Sequence, residues 1–240
     1  MVTEDILSCL KKLRLNRSIA KMSEEIKADS HQEYLLKLLL GEVKRREEAK
    51  KASLVKSSGF YTLKAFDDFR FDEVTLPESV SPSYLKDLSF MDSHTNLVMY
   101  GNVGTGKSHL SIALGMEACS RGIPVKFFRT SALVNRLAEA KRSGELSSFT
   151  AKLSKAELLI FDEWGYVPLE RVGAQLLFEL VSECYERKSI IINTNIEFSR
   201  WVNIFYDEQM TGAIIDRLLH HCHLLLFPGP SVRLMESEVR

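Results

Sequence analysis

The sequence predicts an α/β fold: a parallel five-stranded sheet flanked by helices and preceded by a small all-helical domain. Three observations lead there. From Asn96 onward, short apolar runs alternate with longer amphipathic segments, as in strands joined by crossover helices. A glycine-rich turn falls at the first junction between strand and helix. The segment before Gly59 has helical periodicity and no strand signal.

In chain order, Ile6, Leu7, Leu10 and Leu13 recur at helical spacing, as do Leu35, Leu36, Leu39, Leu40 and Val43. The second stripe runs into the charged residues Lys44, Arg45, Arg46, Glu47, Glu48, Lys50 and Lys51, and Gly59 ends it. Phe60 to Phe90, rich in aromatic residues and carrying Pro77 and Pro82, reads as a connector wrapped on a core, with a domain boundary near residue 65. This gives a helical domain over 1–65 and an α/β domain over 66–240. Strands are expected at Asn96–Tyr100, Val125–Phe128, Leu158–Phe161, Ile190–Asn193 and Leu224–Phe227. Helices are expected at Lys107–Ser120, Ser131–Lys141, Gly173–Glu186 and Thr211–His221, with Gly122 and Pro124 marking the exit of the first.

With 240 residues and 45% hydrophobic content, the chain can bury a core. It has no apolar run long enough for a membrane span, and Glu4, Asp5, Lys11 and Lys12 interrupt its start, so no secretory signal is readable and a cytoplasmic location is expected. Cys9, Cys119, Cys184 and Cys222 lack the paired spacing of a zinc ribbon or disulfide framework. His220, His221, Cys222 and His223 are neighbours in sequence, which point in different directions on a helix and make a poor ligand set. The 32 basic and 32 acidic residues balance, which denies the chain a global positive field. Residues 1–56 nevertheless hold 13 Lys/Arg against 9 Asp/Glu, a net of +4, leaving −4 for the remainder.

Gly101, Asn102, Val103, Gly104, Thr105, Gly106, Lys107 and Ser108 spell G-x-x-x-x-G-K-S between an apolar strand and a helix. A chance match anywhere in the chain is on the order of one per cent at ordinary glycine frequency. In such a turn the glycines let the backbone curl around a phosphate chain, and the helix N-terminus adds partial positive charge. Lys107 is then expected on the β- and γ-phosphates of ATP, and the Ser108 hydroxyl on Mg²⁺.

Leu158 to Glu163 form a buried strand that brings two carboxylates to its C-terminal end, where parallel sheets place ligands. Asp162 is expected in the magnesium's outer shell and Glu163 as the base that polarises the attacking water. Asn195, after Ser189–Thr194, is a candidate to orient water or sense the γ-phosphate, although a turn-forming Asn fits the position equally well. Arg217 and Arg233 are candidate arginine fingers, with surface ion pairs as the plain alternative.

At these residues the chain closely resembles the IstB-like helper ATPases of bacterial insertion sequences, relatives of the DnaC helicase loader and DnaA initiator in the AAA+ class of P-loop NTPases. The likeness covers nearly the whole length, through GNVGTGKSHL at 101–110, LLIFDEWGYVPLE at 158–170, LLFELVSECYERKS at 176–189, NTNIEFSRW at 193–201 and IIDRLLHHCH at 214–223. The resemblance implies an ATP-dependent factor that self-assembles on DNA and recruits or stimulates a cognate transposase. It places Lys107 and Ser108 on nucleotide binding, Asp162 and Glu163 on Mg²⁺ and hydrolysis, Asn195 on a sensor position and Arg217 on a trans-acting arginine. It also makes the +4 segment a DNA or partner surface, with Lys44, Arg45, Arg46, Lys50 and Lys51 as basic candidates. A helicase-loader-like adaptor in replication shares every motif. A small-molecule kinase would need a substrate pocket and an Arg-rich lid, neither of which is readable.

Overall fold

A computed structural model describes residues 2–166 and 169–231. Its contacts divide the chain into two compact units, Met1–Ser53 and Leu54–Arg240. The first holds α1 (Val2–Lys12), α2 (Ser18–Glu25) and most of α3 (His31–Ser58). Leu10, Ile19 and Ala20 form its small core, with Ile6, Leu7, Leu15 and Leu38 packed around them. Leu35, Leu36, Leu39, Leu40 and Val43, the expected apolar stripe, are exposed, and Leu38 of α3 packs against this small core instead. Helical spacing located the helix but not its buried face, because leucines surround most of its circumference there.

The second unit begins with the last turn of α3 and the short helix α4 (Pro82–Lys86), started by Pro82 and capped by the Ser81 hydroxyl, which accepts from the Tyr84 amide. Then come β1 (Asn96–Gly101), α5 (Lys107–Ser120), β2 (Val125–Arg129), α6 (Thr130–Arg142), α7 (Leu146–Leu153), β3 (Leu158–Trp164), α8 (Arg171–Cys184), β4 (Ser189–Thr194), α9 (Val202–Phe205), α10 (Glu208–His220) and β5 (Cys222–Phe227). All four strand pairings are parallel, in the order β2-β3-β4-β1-β5. The predicted α/β fold is therefore present, with every predicted strand and long helix of this region in place. The sequence reading omitted α7 and the short helices α4 and α9.

Side-chain alternation splits the sheet into two buried faces. Leu97, Met99, Val125, Phe127, Leu158, Ile160, Ile191, Leu225 and Phe227 pack with α5 and the connector. Val98, Leu159, Phe161, Ile190 and Ile192 pack with α6, α8 and α10. At the β5 edge, Thr75 of the connector exchanges two backbone hydrogen bonds with Leu226, at 2.9 and 3.0 Å. Among the described residues, no helix is long and apolar enough to cross a membrane.

Candidate functional site

A cleft of about 1070 Å³ opens at the C-terminal ends of β1, β3 and β4. Val103, Gly104, Thr105, Gly106, Lys107 and Ser108 form one side of it, Asp162, Glu163, Asn193 and Asn195 another. Gly101 and Asn102 lie behind the lining and contribute backbone. A Cβ on Gly101 would stand 2.3 Å from the Phe227 carbonyl oxygen of β5, so only glycine fits where the turn leaves the sheet. Gly106 caps α5 with φ +96°, left-handed backbone that brings the positive end of the helix dipole to the cleft. Within the turn the Thr105 hydroxyl donates to the Asn102 carbonyl at 2.8 Å, and the Lys107 ammonium to the carbonyls of Gly101, at 2.7 Å, and Asn102.

The cleft floor is a buried polar network. The Ser108 hydroxyl donates to Asp162 Oδ1 at 2.9 Å, and Asn193 Nδ2 donates to the same oxygen at 2.9 Å and to the Ser111 hydroxyl at 2.8 Å. Asp162 is 4% exposed and Asn193 2%. With its amide engaged, Asn193 Oδ1 is buried without a hydrogen-bond partner, a costly arrangement unless something at the site donates to it.

Sequence reasoning missed Asn193 in favour of Asn195, which lines the cleft from an exposed position past the strand end. Strand periodicity held the signal: counting by twos from Ile191, which faces α5, puts Asn193 on the same face as the P-loop helix. The connector does more than wrap the core, since Tyr61, Phe69 and Arg70 also line the cleft. Phe69 lies beside the P-loop, its ring 5.4 Å from that of His109, while His109 Nε2 meets the Ala65 carbonyl at 2.9 Å.

Asp162 and Glu163 do not end β3, which continues to Trp164. A bulge between Phe161 and Trp164 puts Glu163 in left-handed backbone at φ +57°. The extra residue shifts the alternation by one: Asp162 still faces α5, but Trp164 turns to the opposite core, 5.3 Å from the Trp201 ring. Glu163 is left half exposed, its Oε1 3.9 Å from Arg129 Nε, and that guanidinium lies over the Tyr61 ring at 5.3 Å.

Arg217 is not brought to this cleft. Its guanidinium sits 5.0 Å over the Phe178 ring and donates to the Ala213 carbonyl at 3.1 Å. Arg233 lies outside the described residues. Of the basic candidates in the first unit, Arg45 and Arg46 both donate to Glu42, which holds that carboxyl at about 2, well below its usual range, while Lys44, Lys50 and Lys51 are exposed. Of the histidine run, His223 meets the Tyr84 hydroxyl at 3.3 Å, and His220 and His221 come together with Glu186 at the surface. Burial pushes the thiols of Cys119 and Cys184 up to about 11 and that of Cys222 to about 12, so all three stay protonated near neutrality.

Known proteins share this framework. Over 214 residues the chain is 35% identical to an insertion-sequence ATP-binding protein of Geobacillus stearothermophilus, covering 88% of this chain and 84% of that one. A counterpart from Pseudomonas aeruginosa is 34% identical over 240 residues, covering 98% and 89%. Among solved structures, the DnaC helicase loader superposes with a TM-score of 0.53 at 22% identity, over 68% of this chain and 96% of that one. Nucleotide-analogue-bound DnaA of Aquifex aeolicus gives 0.55 at 19% identity, over 73% and 56%. These two likenesses show a shared fold. The family described as IstB-like ATP binding protein matches residues 8–239, and the chain belongs to that family.

Proposed function

We propose that this chain is a cytoplasmic helper ATPase of transposition. It binds ATP with Mg²⁺, self-assembles on DNA, hydrolyses the nucleotide and recruits or stimulates a cognate transposase at the target site. The observation that carries the reading is one cleft in which a P-loop, a Ser108–Asp162 contact and a strained, exposed Glu163 converge, in a chain of this family.

The turn and the α5 N-terminus are suited to phosphate oxygens, and Lys107 would exchange the carbonyls of Gly101 and Asn102 for the β- and γ-phosphates. Phe69, beside the P-loop, offers an aromatic surface for the base. The hard oxygens of Ser108 and Asp162 fit Mg²⁺, and the orphaned Asn193 Oδ1 fits as acceptor for one of the ion's waters. An ion held by Ser108 and Asp162 would supply neutralisation of phosphate charge. Glu163 polarises the attacking water as base, and Asn195 orients that water or senses the γ-phosphate. Arg217, remote from its own cleft, acts on the cleft of a neighbouring copy. Residues 1–65 contact DNA or the transposase, with Lys44, Lys50 and Lys51 the cations best placed to meet phosphate.

The test combines ATP turnover with and without duplex DNA, sizing in ATP and ADP, and the Lys107→Ala variant. Turnover that rises with DNA, ATP-dependent assembly and loss of both in Lys107→Ala are expected. A folded protein with no Mg-ATP affinity overturns the reading. DNA affinity that is equal at low and high salt removes the phosphate-contact component. In pull-downs, capture of a replicative helicase in place of the transposase makes the chain a loader.

A further inference from the structure

The cleft lies where the strands end; a second group of chemically capable side chains lies where β4 and β5 begin. Among the described residues, Glu186, His220 and His221 bring one ligand atom each to within 4.8 Å of one another at the surface. Glu186 belongs to the turn between α8 and β4, and the two histidines to the junction of α10 with β5. Successive residues on a helix diverge by about 100°, which is why the histidine run looked unpromising as a ligand set. The helix stops in time, however: His220 is the last residue of α10, His221 caps it at φ −124° and ψ 82°, and the two rings come to 4.2 Å between centroids. Cys222 and His223 are drawn elsewhere, Cys222 against the core shared by α8 and α10 and His223 to the Tyr84 hydroxyl.

Three further features suit a bound cation. Glu186 occupies left-handed backbone at φ +56°, where glycine or asparagine is the easier choice, and its Oε1 lies 3.7 Å from His221 Nε2. His220 Nδ1 meets the Tyr185 hydroxyl at 2.7 Å, the kind of outer contact that fixes the ring of a ligating imidazole. The group also sits at the C-terminal end of α10, where the helix dipole favours positive charge. Two imidazoles and one carboxylate match a borderline divalent ion such as Zn²⁺, whereas Mg²⁺ and Ca²⁺ prefer oxygen alone. Ligand atoms of a tetrahedral zinc site stand about 3.3 Å apart. His221 and Glu186, with side chains 49% and 55% exposed, have the room to close that difference by rotamer adjustment.

We propose that Glu186, His220 and His221 form a three-ligand site for Zn²⁺, with water completing the coordination, and that the bound ion ties the end of α10 to the α8–β4 turn. None of the three residues lines the cleft, so the site stands or falls independently of the reading of the protein as an ATPase. Tyr185 is a positioning residue here: it orients His220 and does not touch the ion.

The test uses the full chain without a histidine tag, in excess Mg²⁺ to occupy sites built from oxygen alone. Co²⁺, which reports its ligands by its colour, is titrated first and Zn²⁺ second. One equivalent of Co²⁺ should produce the visible bands of a low-coordinate ion, and one equivalent of Zn²⁺ should bleach them; no such bands overturns the site. A thiolate-to-cobalt band would bring Cys222 into the set and overturn the assignment of ligands. Glu186→Gln and His221→Ala should each weaken Zn²⁺ binding about a hundredfold, and Tyr185→Phe, which keeps all three ligands, about tenfold. Unchanged affinity in Glu186→Gln, an exposed substitution of equal size, overturns the set even if the histidine variant fails to fold. Bands lost altogether in Tyr185→Phe would make the phenol a ligand and overturn it likewise. Amide hydrogen exchange should slow on adding Zn²⁺ both at the end of α10 and in the α8–β4 turn, and protection at only one of them overturns the tie between the two.

Discussion

The floor and the wall of the cleft hold adjacent carboxylates in opposite physical states. Asp162 on the floor is buried, accepts from Ser108 and Asn193, and sits in regular strand register with Arg129 of β2. Glu163 on the wall is half exposed, has left-handed backbone and faces one guanidinium at a distance too long for a good hydrogen bond. One position is held by its partners, which suits a group that keeps a metal ion's surroundings fixed. The other is held by a backbone bulge while its side chain stays free to turn, which suits a group that must meet water. Neighbouring identical charges thus acquire different capacities from a single inserted residue in β3.

The largest effect that sharpens this contrast is on turnover. Glu163→Gln should lower it about a hundredfold or more, the usual contribution of a general base, while nucleotide affinity and melting temperature hold. Single-turnover hydrolysis beside equilibrium binding of a fluorescent ATP analogue checks this, and retained hydrolysis would remove the wall's chemical role. Next in size is Asp162→Ala, which removes the acceptor shared by the Ser108 hydroxyl and the Asn193 amide and leaves Asn193 only its bond to Ser111. A loss of about 2 kcal/mol in urea unfolding is expected, together with loss of Mg²⁺-dependent affinity. A variant as stable as the parent would mean that the floor network contributes little to holding the site.

Much of this was legible in the sequence. The turn from Gly101 to Ser108 identified itself because its chemistry needs particular residues at fixed spacing, and the strands announced themselves as apolar runs. The bulge did not, because nothing in LLIFDEW says that Trp164 will desert its expected face; that follows from the Trp201 and Phe205 rings waiting on the other side. Asn193 was hidden for a related reason. Its role appears only once β4 lies beside β3 and aligns its face with Asp162, a pairing fixed by tertiary topology. The exposed leucines of α3 show the opposite failure: a strong local pattern located a helix without specifying which side is covered.

The smallest expected effect tests the bulge itself. A non-glycine residue at φ +57° carries a conformational cost that glycine does not, and the Glu163 side chain gains little in return from a half-exposed contact at 3.9 Å. Glu163→Gly should therefore stabilise the fold, by up to about 1 kcal/mol, while removing the carboxylate and its activity. Glycine also adds freedom to the unfolded chain, which offsets part of the gain and sets the scale below that of the other two variants. Urea unfolding of Glu163→Gly against Glu163→Ala separates backbone relief from loss of the side chain, because alanine keeps the strain and glycine releases it. If glycine proves no more stable than alanine, the left-handed conformation costs nothing here, and the bulge is simply the shape that β3 takes to bury Trp164.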